Sequence, residues 1–125
     1  MITGCGIDIV NVERFSGWLE NPPLVRRFFH PDESRYINAF GSQKAAESLA
    51  VRFAAKEAFG KALGTGLSGF KLSDICVDKD AAGKPVMRLS GAAAELLKKN
   101  GANRIHLSLS HEKHYAVAQV ILEYV

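Results

Sequence analysis

Two carboxylates and a lysine occupy positions where the surrounding pattern calls for apolar side chains. Asp8 interrupts the strand-like stretch at residues 2–10, and Glu57 interrupts the apolar stripe of a helical stretch. Lys61 follows Glu57 by about one helical turn. A carboxylate in such a place costs free energy to bury unless a cation or hydrogen-bond donors meet it. These three residues are therefore the first candidates for chemistry.

Asp8 and Glu57 together are typical of a site for a hard divalent cation. One lies on a strand and the other on a helix that covers the sheet, so the two would repel each other without a cation. Oxygen ligation from few side chains suits Mg²⁺, which keeps several waters and completes its coordination with substrate phosphates. Lys61 would then meet phosphate charge, while Gly64 and its neighbouring glycines would let the backbone approach a bulky ligand. The set predicts phosphoryl-transfer chemistry.

Each candidate also has a plainer interpretation. Glu57 and Lys61 can form an i,i+4 pair that stabilises a helix by a few tenths of a kcal/mol. An aspartate at a strand end can cap the next helix, although the strand pattern continues beyond Asp8. His111 ends the apolar face of a later strand, where it is either a packed or capping residue or part of a binding site.

Hydrophobic periodicity assigns the candidates to two elements. Residues 2–10 predict a strand whose one face is Cys5, Ile7 and Ile9, and whose other face is two glycines and Asp8. The bare glycine face lets another backbone or a ligand come close. A long helix, capped by Ser42, is predicted through VRFAAKEAFGKALGTG at 51–66, which has no helix breaker before its tenth residue.

The remaining pattern completes an α+β fold. Short helices are predicted at 11–20, 24–30 and 34–40, and strands at 70–78 and 83–89. A helix capped by Ser90 follows, and then two alternating strands at 103–111 and 114–124. The order predicts one domain, residues 1–125, in which an antiparallel-rich sheet packs against the long helix.

Composition narrows the class of protein. Of the 125 residues, 47% are hydrophobic and 23% charged, as in ordinary globular chains. Cys5 and Cys76 are too few for a disulfide framework or a zinc site, so both are expected to be small core residues. No run approaches 18 apolar residues and no signal sequence opens the chain, so the cytoplasm is expected and no membrane partner.

The net charge of +3 suits an acidic partner or a phosphorylated ligand. Arg26 and Arg27 adjoin on a short helix, where they form either a solvated face or a docking patch for such a partner. A nucleic-acid-binding module is not favoured, because no strand face interleaves basic and aromatic residues. That alternative, like a purely structural subunit, also leaves Asp8 and Glu57 without a reason.

Three motifs resemble those of the small 4′-phosphopantetheinyl transferases. They are GIDIVNVER at 6–14, FAAKEAFGKALGTG at 53–66 and SLSHEKHYAVAQV at 108–120. Each motif is weak alone, but their order and spacing across nearly the whole chain are specific. The resemblance implies transfer of phosphopantetheine from coenzyme A to a serine of an acyl carrier protein, with release of adenosine 3′,5′-bisphosphate. Such a reaction supports fatty acid biosynthesis.

The resemblance also implies roles for individual residues. Asp8 and Glu57 match the magnesium ligands of the family, and Glu57 and Lys61 are expected to be catalytic. Lys61 matches the lysine that neutralises phosphate charge, and with Gly64 and His111 it is expected to bind coenzyme A.

The family's partners give the arginines a role as well. Its carrier proteins are acidic, so Arg14, Arg26 and Arg27 are expected to dock the carrier. The small members of the family form homotrimers with sites at subunit interfaces, and a homotrimer is expected here.

Overall fold

The computed structural model of the chain describes residues 1–125, and its centre is a long helix lying across an antiparallel sheet. The four helices are α1 (Pro22–Phe28), α2 (Pro31–Ile37), α3 (Ser42–Leu63) and α4 (Gly91–Asn100). The five strands are β1 (Ile2–Asn11), β2 (Ile75–Lys79), β3 (Pro85–Leu89), β4 (Arg104–His111) and β5 (Tyr115–Glu123). Short 3₁₀ turns occur at Val12–Phe15, Trp18–Glu20 and Leu72–Asp74.

The main sheet has the order β1-β5-β4, and β5 runs antiparallel to both of its neighbours. Strands β2 and β3 form a separate antiparallel hairpin. These features confirm the predicted α+β fold. In the register, Asp8 lies opposite Ala118 of the central strand, and Ala118 lies opposite Leu109 of β4. The central strand therefore keeps β1 and β4 about 10 Å apart.

Helix α3 forms the middle of the core. Fifteen of its 22 residues are buried, so neighbours surround it on most sides. Many of those buried residues are alanines, which allow the sheet and the shorter helices to approach the α3 backbone closely. None of the helices combines the length and the apolar character that crossing a membrane requires.

The glycine face of β1 packs directly on α3. A Cβ at Gly4 or Gly6 would overlap the carbonyl oxygens of Ala62 and Ala58 in the helix backbone. Side chains at these two positions would therefore push the strand away from the helix. The predicted close approach is confirmed, and it places Asp8 beside the last turns of α3.

Cys5 was expected to lie in the core, but it lies on the outer face of the sheet. Cys76 is buried as predicted, but Cys5 is exposed, as are Ile7 (58%) and Ile9 (64%). Because the glycine face of β1 takes the helix, strand alternation sends the apolar side chains to the opposite side. No element of the chain covers that side.

Helix α2 begins three residues earlier than predicted. It starts at Pro31 rather than Ser34, because His30 and Glu33 close a capping box in front of it. The His30 ring accepts a hydrogen bond from the Asp32 amide (3.0 Å), and the Glu33 carboxylate accepts one from the His30 amide (2.9 Å). A histidine is an uncommon cap, so the pattern did not indicate it.

Other predicted boundaries and caps had mixed outcomes. Residues 11–20 form two 3₁₀ turns instead of one helix. Gly41 is the cap of α3 in place of Ser42, and it makes no side-chain bond. Ser90 does stand at the cap of α4, but its hydroxyl donates to the Asp74 carbonyl and not to the helix.

Candidate active site

Asp8 and Glu57 meet where β1 crosses the second half of α3. The Asp8 side chain is 15% exposed and Glu57 is half-buried. Burial and then the negative charge of Asp8 raise the pKa of Glu57, while the charges of Lys61 and Arg14 lower it. The two carboxylates therefore interact, and the negative charge of ionised Glu57 is not fully offset by nearby cations or hydrogen bonds.

Lys61 pairs with Asp8 and not with Glu57. Its ammonium donates to Asp8 Oδ1 and to the Ile7 carbonyl, both at 3.0 Å. The plain i,i+4 pair with Glu57 is thus not the contact that forms. An ammonium has three N–H donors, so one donor of this half-exposed side chain is free for another acceptor.

The donor set at this point fits a hard divalent cation. Asp8 and Glu57 offer only oxygen atoms, and no hydrogen bond to the Glu57 carboxylate offsets its burial. A cation between the carboxylates would remove both the repulsion and the desolvation penalty that raise the Glu57 pKa. Lys61 cannot do so alone, because Asp8 is the only one of the two carboxylates with which it forms an ion pair.

A different group of metal-type side chains lies at the start of α2. His30, Asp32 and Cys76 bring potential ligand atoms within 4.8 Å of one another. The Arg88 guanidinium already occupies this place, since its Nη2 lies 3.2 Å from Asp32 Oδ2 and 3.2 Å from Cys76 Sγ. We therefore assign this group to an ion-pair network.

Gly64 ends α3 for a conformational reason. It adopts φ of 80° in the left-handed region, which closes the helix and disfavours any residue with a Cβ. An added Cβ there would meet nothing within 4 Å, so the space beside Gly64 is open. The position next to the last turn of α3 is thus accessible to a ligand.

The three predicted docking arginines are all exposed. The Arg14 guanidinium lies 4.7 Å from the Phe53 ring centroid, close enough to Glu57 for its charge to lower the pKa of that carboxyl. Arg27 stacks over Phe28 at 5.3 Å. Arg14, Arg26 and Arg27 form no ion pair within the chain and remain free to meet an acidic partner.

His111 lies away from the carboxylates, at the end of β4. Its ring is exposed and makes no hydrogen bond, so it is neither a packed residue nor a cap. It lines a cavity of about 520 Å³ beside the first half of α3, together with Tyr36, Lys44, Arg52 and Lys79. Its three basic side chains outnumber the acidic Glu47 and Asp78 in the lining, which suits a phosphorylated ligand, and sequence reasoning did not find this cavity.

Sequence reasoning also missed a buried charge network. Lys56 and Glu33 are fully buried, and their ion pair is 2.6 Å long. The signal was present, because Lys56 follows Leu49 by seven residues and Phe53 by three, on the same apolar stripe of α3. A lysine at such a position has to find a buried acceptor.

Comparisons with known proteins agree with the resemblance. The model of the 4′-phosphopantetheinyl transferase superfamily matches residues 4–120. The holo-[acyl-carrier-protein] synthase of Treponema denticola is 54% identical over 123 residues, covering 98% of this chain and 99% of the relative.

Solved structures are similar over the same length. The crystal structure of a holo-(acyl-carrier-protein) synthase from Bacillus anthracis in complex with CoA (3′,5′-ADP) is 37% identical, with a TM-score of 0.83. It covers 100% of this chain and 99% of that chain. The synthase from Neisseria meningitidis is 36% identical with a TM-score of 0.88, covering 98% and 99%.

Proposed function

The chain belongs to the 4′-phosphopantetheinyl transferase superfamily, and from this premise we propose that it is a holo-[acyl-carrier-protein] synthase. It transfers 4′-phosphopantetheine from coenzyme A to a serine of apo-acyl carrier protein. The serine hydroxyl releases its proton to water and its oxygen bonds to the phosphorus next to pantetheine. The bond from that phosphorus to the bridging oxygen breaks, and adenosine 3′,5′-bisphosphate leaves. The observation that carries this proposal is the 54% sequence identity to the Treponema denticola synthase over 98% of this chain.

Asp8 and Glu57 hold Mg²⁺ in this proposal. Their oxygen-only donor set and the uncompensated Glu57 carboxylate support the assignment. When bound, Mg²⁺ neutralises charge on the pyrophosphate. The close packing of Gly4 and Gly6 on α3 keeps the two carboxylates within reach of one ion, because it fixes β1 against the helix.

Lys61 is the second catalytic residue. Its bonds to Asp8 and to the Ile7 carbonyl hold the ammonium beside the carboxylates, and its remaining N–H can donate to a phosphate oxygen. Charge builds up on the leaving phosphate as the bond breaks, and a fixed ammonium stabilises that charge. Gly64, with open space beside it, allows the ligand to pass the end of α3.

Coenzyme A binds with its adenosine and 3′-phosphate in the cavity beside His111, and its pyrophosphate extends to the carboxylates. Lys44, Lys79 and Arg52 supply positive charge, and the Tyr36 ring supplies an aromatic surface for a base. Along α3, Ser48 at this cavity and Glu57 at the carboxylate site are nine residues apart, which corresponds to about 14 Å. One ligand therefore has to span two separate regions of the protein surface.

A homotrimer offers a way for the two regions to meet. Strand β5 and helix α3 separate His111 from Asp8 within one chain. Ile7 and Ile9 leave the outer face of the sheet apolar and uncovered, as expected for a contact between copies. We place the cavity of one copy beside the carboxylates of the next.

The acidic carrier docks on the surface that displays Arg14, Arg26 and Arg27. Their unpaired guanidinium groups complement acidic side chains and steer the encounter. Arg14, beside Glu57, links this surface to the reaction site. The proposal places this activity in fatty acid biosynthesis, in the cytoplasm, within one domain of residues 1–125.

The direct test incubates the protein with an apo-acyl carrier protein, coenzyme A and Mg²⁺, and then measures the mass of the carrier. A mass increase of one phosphopantetheine, dependent on coenzyme A and blocked by changing the carrier serine to alanine, is the expected result. An unmodified carrier in the presence of folded protein and Mg²⁺ would overturn the proposal. Sedimentation of the same preparation checks for a trimer.

A further inference from the structure

We propose that Lys56 is a positioning residue, whose buried contacts set the carrier-docking helix α1 against the catalytic residues of α3. The inference rests on the proposed function. It assigns a role to a buried cation that the reaction itself does not use. Lys56 directly precedes Glu57 in the chain, but it points to a different side of the helix, since consecutive residues are turned by about 100°.

The Lys56 ammonium is completely satisfied by groups from three other segments. It donates to Glu33 Oε1 of α2 (2.6 Å), to the Phe28 carbonyl at the end of α1 (2.8 Å) and to the Leu72 carbonyl (3.0 Å). Its nitrogen also lies 4.7 Å from the Phe29 ring centroid. All three N–H donors are used, so no capacity remains for a substrate.

Glu33 extends the same connection to further elements. Oε1 also accepts from the His30 amide, and Oε2 accepts from the Val77 amide of β2 at 3.1 Å. Arg52 of α3 lies 3.8 Å from Oε2. One buried pair therefore links α1, α2, α3 and β2.

These contacts matter most for α1, the helix that carries Arg26 and Arg27. The carbonyl of Phe28 terminates α1, and the bond from Lys56 fixes that end to α3 one residue before Glu57. The Phe28 ring also contacts Phe53 of α3, but a ring contact tolerates sliding that a charge-assisted hydrogen bond resists. A carrier docked on α1 therefore presents its serine in a fixed register to Glu57 and Lys61.

The hydrogen bonds of Lys56 distinguish a positioning role from a purely stabilising one. Buried ion pairs are often replaceable by uncharged side chains of similar volume without loss of stability. The directional bonds to the Phe28 and Leu72 carbonyls are what such a replacement cannot reproduce. If positioning is the role, a variant with restored stability still fails to align the carrier.

The test uses the single variant Lys56→Met and a double variant, the neutral pair, which combines Lys56→Met with Glu33→Gln. Both are compared with Leu122→Ala, a core change in β5 away from α1. All variants are assayed well below their melting temperatures. For Lys56→Met and the neutral pair, kcat/KM for the carrier is expected to fall about tenfold or more, because small misplacements of reacting groups are costly. For Lys56→Met, the dissociation constant for coenzyme A should stay within about twofold, since neither Lys56 nor the Phe28 and Leu72 carbonyls line its cavity.

Leu122→Ala supplies the matched control, because it lowers the melting temperature without touching the Lys56 contacts. It should leave the carrier kcat/KM within about twofold of the wild type. Amide hydrogen exchange gives a readout independent of activity: residues 22–29 should exchange faster in the Lys56 variants and not in Leu122→Ala. If Lys56→Met does not fold, the neutral pair carries the comparison of carrier kinetics and amide exchange.

Two results would overturn the inference. One is a stable Lys56 variant with wild-type carrier kinetics, and the other is a parallel loss of carrier turnover and coenzyme A affinity in Lys56→Met. An inactive wild-type protein would instead overturn the proposed function. The two failures are therefore distinguishable.

Discussion

Helix α3 carries two charged clusters that use the same residue types in opposite ways. The open cluster is Asp8, Glu57 and Lys61, in which Glu57 accepts no hydrogen bond and Lys61 is 53% exposed. The closed cluster is centred on Glu33 and Lys56, both fully buried, whose hydrogen-bonding groups are used within the chain. A carboxylate and an ammonium occur in each.

The difference lies in how far each cluster is satisfied by the protein itself. Around Lys56, three acceptors match three donors, so the cluster stabilises the packing of four elements. Arg52 is the exception, because its buried Nε has no hydrogen-bond partner. Around Glu57 the carboxylate is not fully compensated, as its raised pKa indicates, and it remains available to a ligand. Unsatisfied groups at a surface thus indicate binding, whereas satisfied buried groups indicate architecture.

The strongest way to break the comparison is to remove a carboxylate of the open cluster. Asp8→Ala or Glu57→Ala should lower carrier modification by about 10³-fold or more, because the cation loses one of its few protein ligands. The fold should remain, since neither side chain is needed for packing. Glu95→Ala, an exposed carboxylate on α4, is the control and should leave the rate unchanged. Near-normal turnover of either variant in Mg²⁺ would remove the metal assignment.

Stability should separate the two lysines. Lys56→Met leaves Glu33 buried without its cation, and the free energy of unfolding should fall by about 3–5 kcal/mol. Lys61→Met removes only a half-exposed pair and should cost less than about 1 kcal/mol. Urea denaturation followed by circular dichroism measures both. Equal losses of unfolding free energy for the two variants would contradict the distinction between the open and closed clusters.

The catalytic rate, unlike stability, should depend strongly on Lys61. Lys61→Met should lower kcat by about 10²-fold, because the ammonium stabilises charge that grows on the leaving phosphate. Coenzyme A affinity should fall much less, and Lys61→Arg should recover little, since a planar guanidinium does not replace a compact ammonium. Single-turnover kinetics isolate this step. An unchanged kcat for Lys61→Met would return the residue to a structural role.

A smaller effect is expected at the rim of the open cluster. Arg14→Glu should raise the Michaelis constant for the carrier about tenfold and that for coenzyme A little, because an acidic partner is steered by this charge. The effect should shrink with added salt, which screens exposed charges. Lys99→Glu on α4 makes the same charge change far from α1 and serves as the control. Equal shifts for both substrates would count against docking.

The smallest effect concerns pH and Glu57. The native pKa of this carboxyl is raised, so the folded state binds its proton more tightly than the unfolded state does. Stability is therefore lost as pH rises from the ordinary glutamate pKa to the raised one, and the penalty persists above it. Glu57→Gln should be slightly more stable than wild type at neutral pH without Mg²⁺. The difference should disappear below about pH 4. A constant difference across this range would contradict the assigned cause.

Much of the fold could be predicted because local pattern fixes it. Alternation at β1, β4 and β5 and the uninterrupted helix around residues 51–63 are properties of neighbouring residues. The errors occurred where a partner elsewhere decided the outcome. Cys5 was expected to be a core residue, but the helix packs on the glycine side of β1, so the face that carries Cys5 and Ile7 points outward.

The candidate site divides in the same way. The sequence by itself determined that Asp8 and Glu57 are out of place in an apolar pattern, and that Lys61 follows one turn later. Only the tertiary structure decided that Lys61 bonds to Asp8, 53 residues away, in preference to Glu57 on its own helix. It also decided that Lys56 meets Glu33. Periodicity reports which way a side chain points from its own backbone, while burial and pairing depend on the segment that packs there.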